Sequence, residues 1–460
     1  MRTDKKKQTK LWLVVIGCLI IILPVAWFLM VRLEGQQPVV EVDLTSPYLG
    51  SSQEITVSLS DEQSGLRSLW VGLLKDGKET VLYDEGFPSG GLLKGGSVRE
   101  TAVKIPVAPK DLGFTDGTAV LRMVVRDYAW RDWWKGNRAY AEKQVVIDTR
   151  PPGIEVLSRA HNISQGGSGL AIFRTSEECA MGGVQVGDRF YPGHTGFFKD
   201  AHIYLAFFAL GYDQGTNTPI HVVATDLAGN QGQGGMNYHI LHKSFRKDRI
   251  NISDGFLNSK MPEFSAEIPQ AASLSPLEKF LFVNRDMRKS NYTKIVEACR
   301  ESDAKIYWKG AFLRLPKSAS RARFADHRTY FYKGKEIDRQ VHLGMDLASL
   351  ANSPVPAANA GVVVLAAPLG IYGNTVIIDH GFDLFSMYSH LSYIGVKPGD
   401  QLAAGQILGR TGATGMAGGD HLHFSMIVHD TFVNPVEWWD DQWIEHNVTS
   451  KIEQVKGSLN

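Results

Sequence analysis

The chain has 460 residues, 43% hydrophobic, 10% aromatic and 21% charged, a length for roughly three domains and a balance that excludes a disordered, collagen-like or coiled-coil chain. Its net charge of +1 is unevenly placed: residues 1–32 hold six Lys/Arg against one Asp, and the remainder holds 43 against 47 acids. The basic excess sits beside an apolar run and not in a basic domain, so nucleic acid is not an expected partner.

Residues 1–10 form a basic tail, and residues 11–31 follow as 21 uncharged, mostly apolar positions. As a helix they span about 30 Å, the depth of a bilayer core. The positive-inside bias leaves the tail in the cytoplasm and exports the rest. A cleaved signal peptide is the competing reading; the long apolar run and the lack of a clear A-x-A site favour an uncleaved, single-pass anchor. Of three cysteines, only Cys179 and Cys299 are exported. A disulfide between them and two buried thiols are both open readings.

Residues 33–38 read as a polar tether. From residue 39 short β-type runs alternate with Gly, Pro, Asp and Ser; in EITVSLS, Ile55, Val57 and Leu59 alternate with polar neighbours. That period of two, with its turn spacing, predicts antiparallel sandwich strands over 39–149 and again over 150–244. The two regions echo each other: VVRDYA around Asp127 recurs as VATDLAGN around Asp226. Asp148-Thr149-Arg150-Pro151-Pro152 and Ala224-Thr225-Asp226-Leu227-Ala228-Gly229-Asn230 resemble the opening and closing motifs of bacterial immunoglobulin-like modules. The resemblance implies spacers, or surfaces for cell-wall or division proteins. Trp130, Trp133 and Trp134 stand where such modules carry Gly-Asn, and are expected in the sandwich core before any sugar-stacking role.

Residues 245–325 read as a linker with a small helical element packed on the last domain. Ser275-Pro276-Leu277-Glu278 is a capping-box start, with helical stretches near 276–288 and 292–302 and strand-like pieces on either side of a turn at 333–335.

Eight of the 14 histidines fall between His327 and His446. His421 and His423 are spaced to face one side of a strand, and His342 and Asp346, four apart, can meet one ion on a helical turn or a bent strand. Zinc accepts such donors. For any single histidine a satisfied surface or core role is the plainer reading. The Gly-rich GRTGATGMAGGD lacks the Gly-Lys-Ser/Thr of a phosphate loop, and no HExxH occurs.

Within a last domain read as 326–445, residues 338–439, through QVHLGMDLA, GNTVIIDHG, MYSHLS, GDHLHF and FVNPVEWW, resemble the catalytic domain of M23 zinc metallopeptidases, the LytM/lysostaphin-like peptidoglycan hydrolases. The resemblance implies an antiparallel β-domain in a mainly β chain. It also implies one Zn2+ held by His342, Asp346 and His423, with His390 and His421 as the catalytic pair. The expected function is a zinc metalloendopeptidase, anchored in the bacterial inner membrane with its catalytic domain in the periplasm. It would cut the peptide cross-links of peptidoglycan through a zinc-activated water. The alternative, a non-enzymatic LytM-type activator of cell-wall amidases, is disfavoured because all five positions are present. Residues 245–337 are a candidate plug for the cleft, with Asp326 or His327 as the residue reaching the metal. His380 is expected to be structural, and His429 and His446 to lie outside the ligand set.

Overall fold

The computed structural model describes residues 2–44, 46–91, 94–268 and 271–459. The chain is mainly β-structure behind an N-terminal helix, and it divides into two compact units, residues 1–151 with 226–230, and 152–225 with 231–460.

The first unit opens with the helix Arg2–Arg32. Its Lys7–Met30 portion is long and apolar enough to cross a bilayer, and the apolar window is not buried against the protein. A three-stranded sheet (Val39–Asp43, Gln53–Ser60, Glu100–Val107) and a five-stranded sheet built around Leu66–Lys75 and Gly117–Asp127 then share one core. The alternation seen in the sequence sets the facing: Ile55, Val57 and Leu59 are buried, and Leu69, Val71, Leu73, Leu121, Met123 and Val125 meet them. One expectation fails here, because Trp133 and Trp134 lie outside this core and are 91% and 63% exposed.

In the second unit, the strands Ser168–Thr175 and Ile203–Ala209 are almost wholly buried. The apolar run IYLAFFA does not alternate, so both faces need cover. One face is covered from the C-terminal end: the ring of Phe207 lies 5.8 Å from that of Trp438, and the Tyr191 hydroxyl shares a 2.9 Å hydrogen bond with Thr431. A single hydrophobic cluster runs from Ile163 to Val455. Residues 154–241 are therefore built into the C-terminal core and do not stand off as a separate spacer module. Cys179 and Cys299 form no disulfide with each other.

The linker is more ordered than a tether. Ser275 and Glu278 close the capping box, and the helix Pro276–Phe282 runs through a wider turn at Val283–Met287 into Arg288–Ala298 without the expected break. Phe280, Val283, Met287 and Ile295 join the common core. Helices over residues 435–459, beyond the expected strands, cap the far side with Ile444, Val448, Ile452 and Val455.

The C-terminal sheet carries the site. Its strands run in the order Ala319–Ala322, Met345–Ala348, Leu422–Val428, Leu384–Leu391, Asn374–Asp379, Gly361–Pro368 and Gln401–Leu402, and the pairings along it are antiparallel. A neighbouring sheet places Lys247–Ile252 parallel to Asp326–Tyr332, which pairs with Lys335–His342 across the turn at 333–334.

Candidate active site

His342 ends the strand Lys335–His342, and the chain bends at residues 343–344 before Met345–Ala348 begins. The bend folds His342 back toward Asp346. Across the antiparallel ladder Asp346 stands directly opposite His423, and His423 in turn stands opposite Ser389. Three neighbouring strands thus deliver side chains to one point. His342 Nε2 is 2.9 Å from Asp346 Oδ1 and 3.0 Å from His423 Nδ1, which is itself 2.9 Å from Asp346 Oδ1.

The outer bonds decide which ring atoms carry protons. His342 Nδ1 lies 3.0 Å from the Arg323 carbonyl, which can only accept, so Nδ1 donates and Nε2 turns a lone pair inward. Ser425 Oγ donates to Leu343 O at 2.8 Å and so accepts from His423 Nε2 at 3.1 Å, leaving His423 Nδ1 as the inward lone pair. Two imidazole lone pairs and a carboxylate oxygen within 3.0 Å repel one another unless a cation lies among them. Two nitrogens and one oxygen, each steadied by an outer bond, fit a zinc-type donor set with room for a further ligand. Arg328 Nη2 holds Asp346 Oδ2 at 3.2 Å, which leaves Oδ1 to the cluster. Burial would raise the Asp346 carboxyl, but when His342, His421 or His423 carries a proton toward it, the charge and hydrogen bonds hold it well below the usual carboxylate range.

His390 and His421 stand across the cleft with ring centroids 4.9 Å apart. His390 sits at an irregularity in the pairing of Leu384–Leu391 with Asn374–Asp379, with a φ of +63°. Such a distortion re-aims a side chain that a regular strand would point elsewhere. His390 Nδ1 donates to Thr414 O and His421 Nδ1 to Gly419 O, both at 2.8 Å, so each ring keeps Nε2 unprotonated in its neutral form. Burial, with His421 and His423 nearby, pushes His390 well below the ordinary histidine value. Burial acts the same way on His421, but Asp346 outweighs it and raises the ring.

All five residues line one cleft of about 360 Å³. Ile250, Phe256, Phe280 and Arg288, from the region read as a linker, form part of its wall, together with Tyr330. The residues of the candidate plug expected to reach the metal do not line the cleft. Asp326 is buried and accepts from the Arg323 amide, while His327 packs against Tyr212 and Phe245. Arg328, next in sequence, is the residue whose side chain enters. His380 is fully buried between Ala360 O and Ser386 Oγ, a structural place. His429 lies beside Asp383, away from the cluster.

Several contributors were not singled out from sequence. Arg328 lies 18 residues before its partner Asp346, and only the fold brings them together. Gly344 had a local signal, being the small residue inside His-x-x-x-Asp. A Cβ there would lie 2.6 Å from the His423 ring and from Ser425 Oγ. Gly344→Ala is therefore expected to push His423 off the common point and lower zinc affinity at least about tenfold, while leaving a folded protein. Competition with a chelator, alongside a thermal melt, measures both; unchanged affinity would show that His423 does not need this space.

Two adjoining β-sheets that gather two imidazoles and a carboxylate at one point, faced across a cleft by two more histidines, have the donor layout of a metal-dependent hydrolase. The C-terminal part of the chain carries an M23 peptidase domain: residues 340–435 match the peptidase family M23. The chain is 40% identical over 96 residues to peptidoglycan DD-endopeptidase ShyA of Vibrio cholerae, covering 21% of this chain and 22% of that protein. It is 35% identical over 97 residues to DD-carboxypeptidase/endopeptidase Mpg of Neisseria meningitidis, covering 21% and 22%. The catalytic domain of lysostaphin from Staphylococcus simulans aligns with 28% identity over 28% of this chain and 96% of that one, at a TM-score of 0.24. The chain thus spans 22% of the length of each of these two curated relatives.

Proposed function

We propose that this chain is a membrane-anchored zinc metalloendopeptidase that hydrolyses the peptide cross-links of peptidoglycan. The observation that carries the reading is the convergence of His342 Nε2, Asp346 Oδ1 and His423 Nδ1 within 3.0 Å of one another. In this reading those three residues hold one zinc ion per chain, which supplies Lewis acidity and an activated water when bound. His390, kept neutral by burial and by its histidine neighbours, has Nε2 free to take a proton as general base. His421, raised by Asp346, donates from Nε2 toward the carbonyl oxygen or the leaving amine. Arg328 holds the second oxygen of Asp346 and keeps the carboxylate oriented. Thr414 O and Gly419 O fix the two ring orientations.

The helix Arg2–Arg32, with basic residues before its apolar stretch, supports anchoring in the bacterial inner membrane with the catalytic domain in the periplasm. The name of the Vibrio cholerae relative, a peptidoglycan DD-endopeptidase, supports peptidoglycan peptides as the substrate class. Full-length protein in detergent is expected to contain about one zinc per chain, in line with three ligands at one point, and to convert cross-linked muropeptide dimers to monomers. Mass analysis of the products names the bond cut. A protein inert on dimers that stimulates a separate amidase would overturn the reading.

A further inference from the structure

Residues 128–137 form the loop between the strands Gly117–Asp127 and Arg138–Ile147, in the same compact unit as the N-terminal helix. The loop is fastened to the end of that helix. The Trp130 amide donates to Arg32 O at 2.6 Å, and Arg131 Nη2 donates to Leu33 O at 2.8 Å. The Trp130 ring meets Phe28 edge-on at 5.2 Å and lies 5.0 Å from the Arg32 guanidinium. Trp134 leans on Trp130, centroids 4.9 Å apart, and its carbonyl accepts from Arg67. Past these contacts Trp133 and Trp134 turn outward, 91% and 63% exposed.

The backbone is set to expose them. Asp132, Trp133 and Trp134 have φ of 45°, 50° and 70°, a left-handed run that bulky residues rarely adopt. A plain turn would place Gly or Asn there. Strain held by surrounding hydrogen bonds, with two indoles directed away from the core, marks a surface with a use.

We infer that Trp133 and Trp134 form a foot that seats the first sandwich in the outer interface of the bilayer crossed by its helix. The inference rests on the anchor reading proposed above. Phe28 lies four residues before Arg32, about 6 Å along a helix. The Trp130 ring touching Phe28 is therefore within one turn of the apolar boundary, and Trp134 sits beside it. Indole is enriched at that depth because its ring is apolar and its N–H stays hydrated. Residues 128–138 also carry Arg131, Lys135 and Arg138 against one acid, Asp132, a balance suited to anionic headgroups. The foot would limit tilting of the sandwich about the helix end.

The test uses the full chain in vesicles of phosphatidylethanolamine and phosphatidylglycerol, with lipids brominated near the glycerol end of their acyl chains. The emission lost between wild type and W133A/W134A is the signal; W133F/W134F gives the same subtraction if the alanine pair misfolds. That emission should be quenched about twofold or more by the brominated lipid and little by acrylamide, as expected for interfacial indoles. A chain that stays with the vesicles through carbonate washing, yet whose Trp133/Trp134 emission is open to acrylamide and untouched by bromine, overturns the foot and leaves the anchor. Loss of the chain to carbonate overturns the anchor and the foot together. Shielding of the same emission by added glycan strands, without bromine quenching, overturns the foot in favour of sugar stacking.

Discussion

Asp346→Ala is expected to remove zinc and cleavage together. Asp346 Oδ1 lies 2.9 Å from both His342 Nε2 and His423 Nδ1, so it is the negative member that makes the cluster attractive to a cation. Without it two imidazole nitrogens remain 3.0 Å apart with nothing to balance a divalent charge. A two-ligand site should bind zinc orders of magnitude more weakly than a three-ligand one. The Arg328 guanidinium, whose Nε is buried without a partner among the described residues, would also lose its contact with Asp346. His342→Ala and His423→Ala should behave likewise. Zinc content by elemental analysis and dimer cleavage are measured on the same preparations. An Asp346→Ala protein with full zinc would place the ion elsewhere and end this assignment.

The sequence was most legible where chemistry and period are local. The alternation of Ile55, Val57 and Leu59 appears as a buried face, and the capping box at Ser275 is closed as read. His342, Asp346, His390, His421 and His423 are brought into one cleft. What was not legible depended on distant packing. Phe207 beside Trp438 joins the second β-region to the C-terminal core, and no spacing rule relates positions that far apart. The same limit hid Arg328, whose role exists only because Asp326–Tyr332 runs beside Lys335–His342. Trp133 and Trp134 were misread because aromatic content signals a core on average, whereas exposure here is set by three left-handed residues. The helical segment, read as a linker whose helical element packs on the last domain, does so, with Phe280 and Val283 fully buried in the shared core. Deleting residues 245–325 would therefore damage the fold before it reported on access to the cleft.

His390→Ala and His421→Ala separate metal binding from turnover. Neither side chain belongs to the three-donor cluster, although both line the same cleft. His390 is fixed by the Thr414 carbonyl and His421 by the Gly419 carbonyl, so truncating either ring leaves His342, Asp346 and His423 with their own outer bonds. Zinc content should stay near that of wild type while kcat falls by about 10²–10⁴, the usual worth of a positioned acid or base. The pH profile tells the two apart. A base must be neutral to act, and burial with its histidine neighbours keeps His390 neutral to pH values below the ordinary histidine range. The acid limb of kcat in wild type should accordingly lie below about pH 6.5. An acid limb near neutrality that vanishes in His421→Ala and persists in the residual turnover of His390→Ala would exchange the two roles, and near-normal turnover of His390→Ala would remove His390 from the pair. Loss of zinc from either variant would enlarge the ligand set instead.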